Sequence, residues 1–155
     1  MKKLFLGLVL AALVPLQACA QEMWKEGTHY RVINDTATSQ PVVTEYFSFW
    51  CPACYQAEPL VQMIKEKLDK DAKFSKVHVN FMGFTGPDVQ DDVTRGMMIA
   101  RALKREDELN GAIFNAIHRQ RTPITGLSDV RSIFIANGVD GEEFDKLASS
   151  FGVNS

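Results

Sequence analysis

Apolar positions fall along this chain in two rhythms. The run Val42-Val43-Thr44-Glu45-Tyr46-Phe47-Ser48-Phe49-Trp50 is nearly continuous and dense in β-branched and aromatic residues. Such a run predicts a strand buried on both faces of a parallel or mixed sheet. Cys51-Pro52 interrupts it, and Pro52 suits the first turn of a helix, where its missing N–H costs nothing. A helical pattern follows to about Leu68, with Leu60, Met63, Ile64 and Lys67 at helical spacing. Pro59, inside that pattern, predicts a kink. Asp69 to Lys73 is a polar connection, and Phe74 to Phe81 alternates as a second core strand. Strand, helix and strand in this order predict a right-handed βαβ unit with parallel strands.

Beyond Gly83-Phe84-Thr85-Gly86-Pro87 the rhythm changes. From Asp88 to Phe151 the pattern is helical almost throughout, with breaks near Arg105–Asp107, Arg121–Gly126 and Asn137–Gly141. Val89, Val93, Met97 and Ala100 mark one apolar face, and Leu109, Ile113, Phe114 and Ile117 another. Val130, Ile133 and Phe134 form a third, closed by the stop signal Asn137-Gly138. A last helix is expected from Glu142 to Ser150. Ahead of the first strand, Thr28 to Ile33 is short, polar and β-tolerant, and Asn34 to Pro41 is loop-like.

The N-terminus follows a different logic. Lys2 and Lys3 precede an apolar stretch from Leu4 to Leu16, and Ala18-Cys19-Ala20 places small residues where a signal peptidase reads. These parts in this order predict a secretory signal peptide cleaved after Ala20, too short to persist as a membrane-spanning helix. Leu16-Gln17-Ala18-Cys19 faintly resembles a lipoprotein signal, the alternative in which Cys19 is lipidated and kept; Gln17 fits it poorly. The formal net charge of −2 becomes more negative once Lys2 and Lys3 are removed, and no Lys/Arg run exists. Nucleic acid is therefore not an expected partner.

Cys51 and Cys54 are the cysteines left in the mature chain, in a compartment where thiols oxidise. Closing so small a loop gains little chain entropy, so the pair is poorly placed as a structural staple. Half a zinc site is the competing reading, but His29, His78 and His118 are scattered without ligand spacing and read as ordinary surface or core residues. Cys51 falls where a buried strand ends and a helix begins. There, unpaired backbone N–H groups and the helix dipole favour its thiolate, the attacking species in disulfide exchange. Cys54, one turn on and turned inward, suits a resolving thiol, and Pro52 stiffens the turn between them. Glu45 interrupts an otherwise apolar strand. It reads either as a buried acid that exchanges protons with Cys54, or as a strand-end acid reaching solvent or a lysine. Lys76, on the neighbouring strand, is a candidate charge partner.

Taken together, Cys51-Pro52-Ala53-Cys54 after Glu45-Tyr46-Phe47-Ser48-Phe49-Trp50, followed by Lys76-Val77-His78-Val79-Asn80-Phe81-Met82-Gly83, resembles the DsbA family of periplasmic disulfide oxidases. Ile135-Ala136-Asn137-Gly138-Val139-Asp140-Gly141-Glu142-Glu143-Phe144 resembles that family's inserted helical domain. The resemblance implies an α/β thioredoxin-like fold, with residues 21–84 as its first part and 85–155 as the helical insertion. It implies a periplasmic enzyme that needs no cofactor beyond the Cys51–Cys54 disulfide. That disulfide would pass to newly exported or unfolded thiol proteins through a mixed disulfide on Cys51, and a membrane reoxidant of the DsbB type would restore it. Glu45 and Lys76 match the family's buried acid and nearby lysine, and Pro59 a helix-kinking proline.

Two departures from the family qualify the expectation. Histidine often stands where this chain has Ala53; without that imidazolium, a higher Cys51 pKa and a weaker oxidant are expected. The thioredoxin fold also uses a cis-proline loop, two further strands and a closing helix, whereas this sequence stops at Ser155. Thr122-Pro123 lies between helical patterns and does not fit the cis-proline loop. The expectation is thus a chain lacking the C-terminal strands and helix, with one edge of the Val42–Phe49 strand unpaired and prone to aggregate. Reductase or isomerase chemistry with the same pair, or an inactive binding fragment, remain the alternative functions.

Overall fold

β-branched and aromatic residues extend Val42–Phe47 as strand β1, and Lys73–His78 as strand β2, in the computed structural model, which describes residues 24–80 and 82–154. The signal peptide, Cys19 and the Phe81 end of the second predicted strand lie outside the described residues. β1 and β2 pair in parallel, from Val42 opposite Lys73 to Phe47 opposite His78, and this register sets Glu45 against Lys76. Helix α1 (Pro52–Lys67) makes the crossover, as the strand–helix–strand order predicts. Cys51 is its N-cap, Pro52 occupies the first turn and Pro59 lies inside it.

The expected burial of β1 on both faces is not what the structure has. Tyr46 is 70% exposed and Val42 and Val43 about two-fifths exposed, while burial begins only at Phe47 and continues through Ser48 and Phe49. A strand is covered on both faces only when layers and neighbouring strands flank it. Among the described residues the sheet has β1 and β2 alone. The apolar stripe expected on α1 meets the same outcome: Leu60, Met63 and Ile64 are exposed, and Val61 is the buried residue. Periodicity located both apolar faces but not what covers them.

The helices carry most of the core. They are α2 (Pro87–Ala102), α3 (Glu106–Phe114), a π-helical turn (Asn115–Arg119), α4 (Leu127–Ala136), α5 (Gly141–Ala148) and the short α6 (Phe151–Asn154). Val93, Met97, Ala100, Leu109, Ile113, Phe114, Val130 and Phe134 are all buried, on the three faces that the spacing marks. A Cβ on Gly96 would stand 2.5 Å from Val130 Cγ1, so glycine is what lets α2 and α4 approach. Gly138, at φ +80°, ends α4 in a left-handed turn that closes Val139 N–H onto the Phe134 carbonyl. Asp140 caps α5 by accepting the Glu143 N–H at 2.9 Å. The predicted breaks are all present, with α3 beginning at Glu106, inside the expected break. The π turn has no counterpart in the expected pattern.

A separate small unit precedes Thr38. In it Lys25 N–H donates to His29 Nδ1 at 2.9 Å and Trp24 meets that imidazole edge-on. The β-tolerant Thr28–Ile33 segment forms only an isolated bridge, between Glu26 and Tyr30. No helix among the described residues is long and apolar enough to cross a membrane.

His78 closes the inner end of β2 and makes folding sensitive to acid. Thr94 donates its hydroxyl proton to the Gln90 carbonyl, so its Oγ1 accepts from His78 Nδ1–H at 2.7 Å. Nε2 is then an unprotonated nitrogen, buried without a partner among the described residues. Burial pushes the imidazole down to about 4, against the pull of Asp91, from an ordinary 6.5. Below about pH 6.5 the unfolded chain therefore binds a proton that the folded chain refuses, and stability falls as pH drops from there toward 4. The low-lying carboxylates Asp107 and Asp145 titrate beneath this window. We expect urea unfolding free energies to fall by on the order of 2 kcal/mol between pH 7 and pH 5, and His78→Gln to flatten that dependence. An unchanged slope in the variant would refute the assignment.

Candidate active site

Cys51 stands between β1 and α1 because the chain changes from extended to helical there: its φ and ψ of −85° and 111° are still strand-like. Its N–H donates to the Ser48 carbonyl at 3.0 Å and its own carbonyl accepts Tyr55 N–H at 3.1 Å. Its side chain caps the helix, with Cys54 N–H pointing at Cys51 Sγ at 3.2 Å. Burial opposes ionisation, but the Cys54 thiol and the backbone N–H groups of Cys54 and Ala53 outweigh it and hold the Cys51 thiol below its ordinary value. Cys54 packs against the core. Burial pushes its thiol up, and the neighbouring Cys51 and the Glu45 charge push the same way, against the Ser48 backbone. One turn of helix thus carries one thiol disposed to ionise and one disposed to stay protonated.

Glu45 and Lys76 are brought together: Lys76 Nζ lies 3.1 Å from Glu45 Oε2. The lysine is 6% exposed and the glutamate 18%. Sequence spacing did not single out Glu58, whose Oε1 lies 2.5 Å from the same ammonium. One buried cation therefore serves two carboxylates, with its Nζ 4.7 Å from the Phe47 ring centroid. A signal for Glu58 did exist, since it follows Cys54 at the i,i+4 spacing that puts two side chains on one helix face. A cleft of about 690 Å³ reaches Lys76 from the side of Lys73, Arg101 and Asp107, and neither cysteine lines it.

The helices supply the remaining parts, which sequence reading did not single out. His118, expected as an ordinary surface or core residue, sits 2.7 Å through Nε2 from the Phe49 carbonyl. Its ring stacks on Tyr55 at 5.0 Å and 9°. The Tyr55 hydroxyl donates to Asn115 Oδ1 at 3.0 Å. Asn115 and His118 both belong to the π turn. No short-range pattern reveals contacts that span about sixty residues.

A parallel β–α–β unit with Cys-Pro-x-Cys at the strand-to-helix junction, and an acid–lysine pair across its two strands, is a thioredoxin-like arrangement. Residues 42–155 match the family described as the DSBA-like thioredoxin domain. The thiol:disulfide interchange protein DsbA of Escherichia coli K12 is 37% identical over 158 residues, which take in 100% of this chain and 73% of that protein. Its counterpart from Haemophilus influenzae is 36% identical, over 99% of this chain and 74% of the relative. Among solved structures, DsbA from Proteus mirabilis superposes with a TM-score of 0.69 at 31% identity, covering 84% of this chain and 68% of that one. A complex of Proteus mirabilis DsbA with a non-covalently bound peptide, PWATCDS, gives 0.70 at 30% identity, covering 84% and 69%. The chain belongs to the DSBA-like thioredoxin family, and it is a thiol:disulfide oxidoreductase of that family.

Proposed function

We propose that the Cys51–Cys54 disulfide is donated to thiol-bearing proteins, with Cys51 as the sulfur that forms the mixed disulfide. A substrate thiolate attacks Cys51 Sγ, the Cys51–Cys54 bond breaks, and Cys54 leaves with the electron pair and takes up a proton. A second substrate thiolate then attacks the substrate's own sulfur in the mixed disulfide. The substrate disulfide forms and Cys51 departs as the thiolate. Two electrons pass to the enzyme, which ends with Cys51 ionised and Cys54 protonated.

The observation that carries this reading is the asymmetry between the thiols: Cys51 is held below its ordinary value and Cys54 above it. A stabilised Cys51 anion is the better leaving group in the last step, and it favours the reduced enzyme, which makes the disulfide an oxidant. The Glu45 charge favours a protonated Cys54, which supports a role for Glu45, paired with Lys76, in exchanging that proton. Ala53 contributes a backbone N–H and no cationic side chain, which keeps the oxidant weaker than a histidine-bearing relative. The same reading places the protein in an exported compartment, after removal of residues 1–20, acting on unfolded or newly exported chains and reoxidised by a membrane partner of the DsbB type. It keeps residues 21–84 as the first part of the thioredoxin-like domain and 85–155 as its helical insertion.

Trapping tests it. Cys54→Ser treated with oxidised glutathione is expected to accumulate one stable adduct, located on Cys51 by peptide mass spectrometry. Cys51→Ser is expected to accumulate far less at neutral pH. Comparable adducts on both variants would overturn the division of labour between the cysteines.

A further inference from the structure

We infer that the π turn Asn115–Arg119 is a clamp on the redox loop, with His118 as its positioning residue; this rests on the reading of Cys51 as the sulfur that forms the mixed disulfide. The two ends of the loop are held from the same turn. At the upstream end His118 Nε2 lies 2.7 Å from the Phe49 carbonyl, and because a carbonyl only accepts, Nε2 carries the proton and donates. At the downstream end Tyr55, the residue after Cys54, lies flat on the His118 ring at 9° and gives its hydroxyl proton to Asn115 Oδ1 at 3.0 Å. Trp50 to Cys54, the segment that contains both thiols, is the span between these two anchors.

The π geometry explains how one short segment reaches both anchors. An α-helix puts residues three and four apart on one face, and widening the turn shifts where those side chains project. Asn115 and His118 thereby converge on Tyr55, while Ala116, between them, is buried. The next residues also stay tied to the turn, through Gln120 N–H on the Asn115 carbonyl and Thr122 N–H on the Ala116 carbonyl. The turn continues directly from α3 and its Ile117 packs against the core, so it is fixed to the helical array as well as to the loop.

The consequence reaches Cys51 through alignment. The N–H groups that stabilise its thiolate come from Ala53 and Cys54, and they point at Sγ only while the Phe49 end and the first turn of α1 keep their relative position. Losing the His118 donor frees the upstream end, so fewer well-aligned N–H groups face the anion. Hydrogen bonds weaken steeply once they are bent.

The experiment follows the Cys51 thiolate by ultraviolet absorbance and by iodoacetamide rate against pH, in the protein and in His118→Phe, which keeps the stack but removes the donor. We expect the titration midpoint to rise by about half a pH unit. Below the midpoint that corresponds to about three-fold slower alkylation, and the glutathione equilibrium should shift toward a weaker oxidant. His118→Gln, which restores an N–H donor, should return most of the shift. A folded His118→Phe with an unchanged midpoint and glutathione equilibrium overturns the inference. Should that variant not fold, Tyr55→Phe carries the test: it removes only the hydroxyl anchor and should raise the midpoint by a smaller amount, and no rise overturns the inference. If Cys51 does not react ahead of Cys54 in the unaltered protein, it is the underlying reading that fails.

Discussion

Lys76→Met should lower the free energy of unfolding by about 3 kcal/mol at neutral pH. The ammonium is 6% exposed, it faces Glu45 and Glu58 on opposite partners of the fold, and its removal leaves two carboxylates sharing a space without a cation. Methionine fills the volume of the lysine stem, so the loss reports charge rather than a cavity. The carboxylates are 18% and 20% exposed, which lets water relieve part of the repulsion and sets the effect at the lower end for a broken buried pair. Adding Glu45→Gln and Glu58→Gln to Lys76→Met should recover most of the stability, because the amides carry no charge to be stranded. Urea unfolding of the single and triple variants reads this directly. A single variant within about 0.5 kcal/mol of the parent, the range of an ordinary surface substitution, would show that the three groups do not act as a cluster. The same substitution should push the Cys54 thiol higher still, since the Glu45 charge already raises it and would lose the cation that offsets it.

How much of this was readable in advance depends on the range of the interactions concerned. The α2 stripe of Val93, Met97 and Ala100 was legible because a helix-period stripe that packs within its own array needs no distant information. Cys51 as a helix cap was legible for the same reason: Pro52 marks the first turn, and the cap is whatever precedes it. β1 was legible as a strand but not in its burial, because Val42, Val43 and Tyr46 are covered only if other layers or strands flank them. The ion pair of Glu45 with Lys76 became a candidate once a crossover helix made the strands parallel, and the register that sets them opposite is a tertiary fact. Glu58 had a local signal, its spacing from Cys54, although it sits in a helix whose polar residues look like a solvated face. His118 had none. Its importance comes from a carbonyl sixty-nine residues away in sequence and from a π turn that local propensity does not announce.

The aromatic centre that joins the two parts of the site should be equally costly to disturb. Phe114 is fully buried at the end of α3. Its ring lies 4.9 Å from Phe49, 5.6 Å from Phe47 and 5.8 Å from Tyr55. The π turn begins at the next residue, so Phe114 is where the helical array, the end of β1 and the first turn of α1 all meet. Phe114→Ala is expected to cost about 3–5 kcal/mol, the usual range for emptying a fully buried aromatic position. Phe114→Leu should cost much less, on the order of 1 kcal/mol, since it keeps most of the apolar volume and loses mainly the ring contacts. Thermal and urea unfolding of the two variants would separate volume from aromatic geometry. A small loss in Phe114→Ala would mean that the cluster collapses to fill the space. Because Phe49 and Tyr55 are also the anchor points of the redox loop, the alanine variant should speed alkylation of the core-packed Cys54 more than that of Cys51.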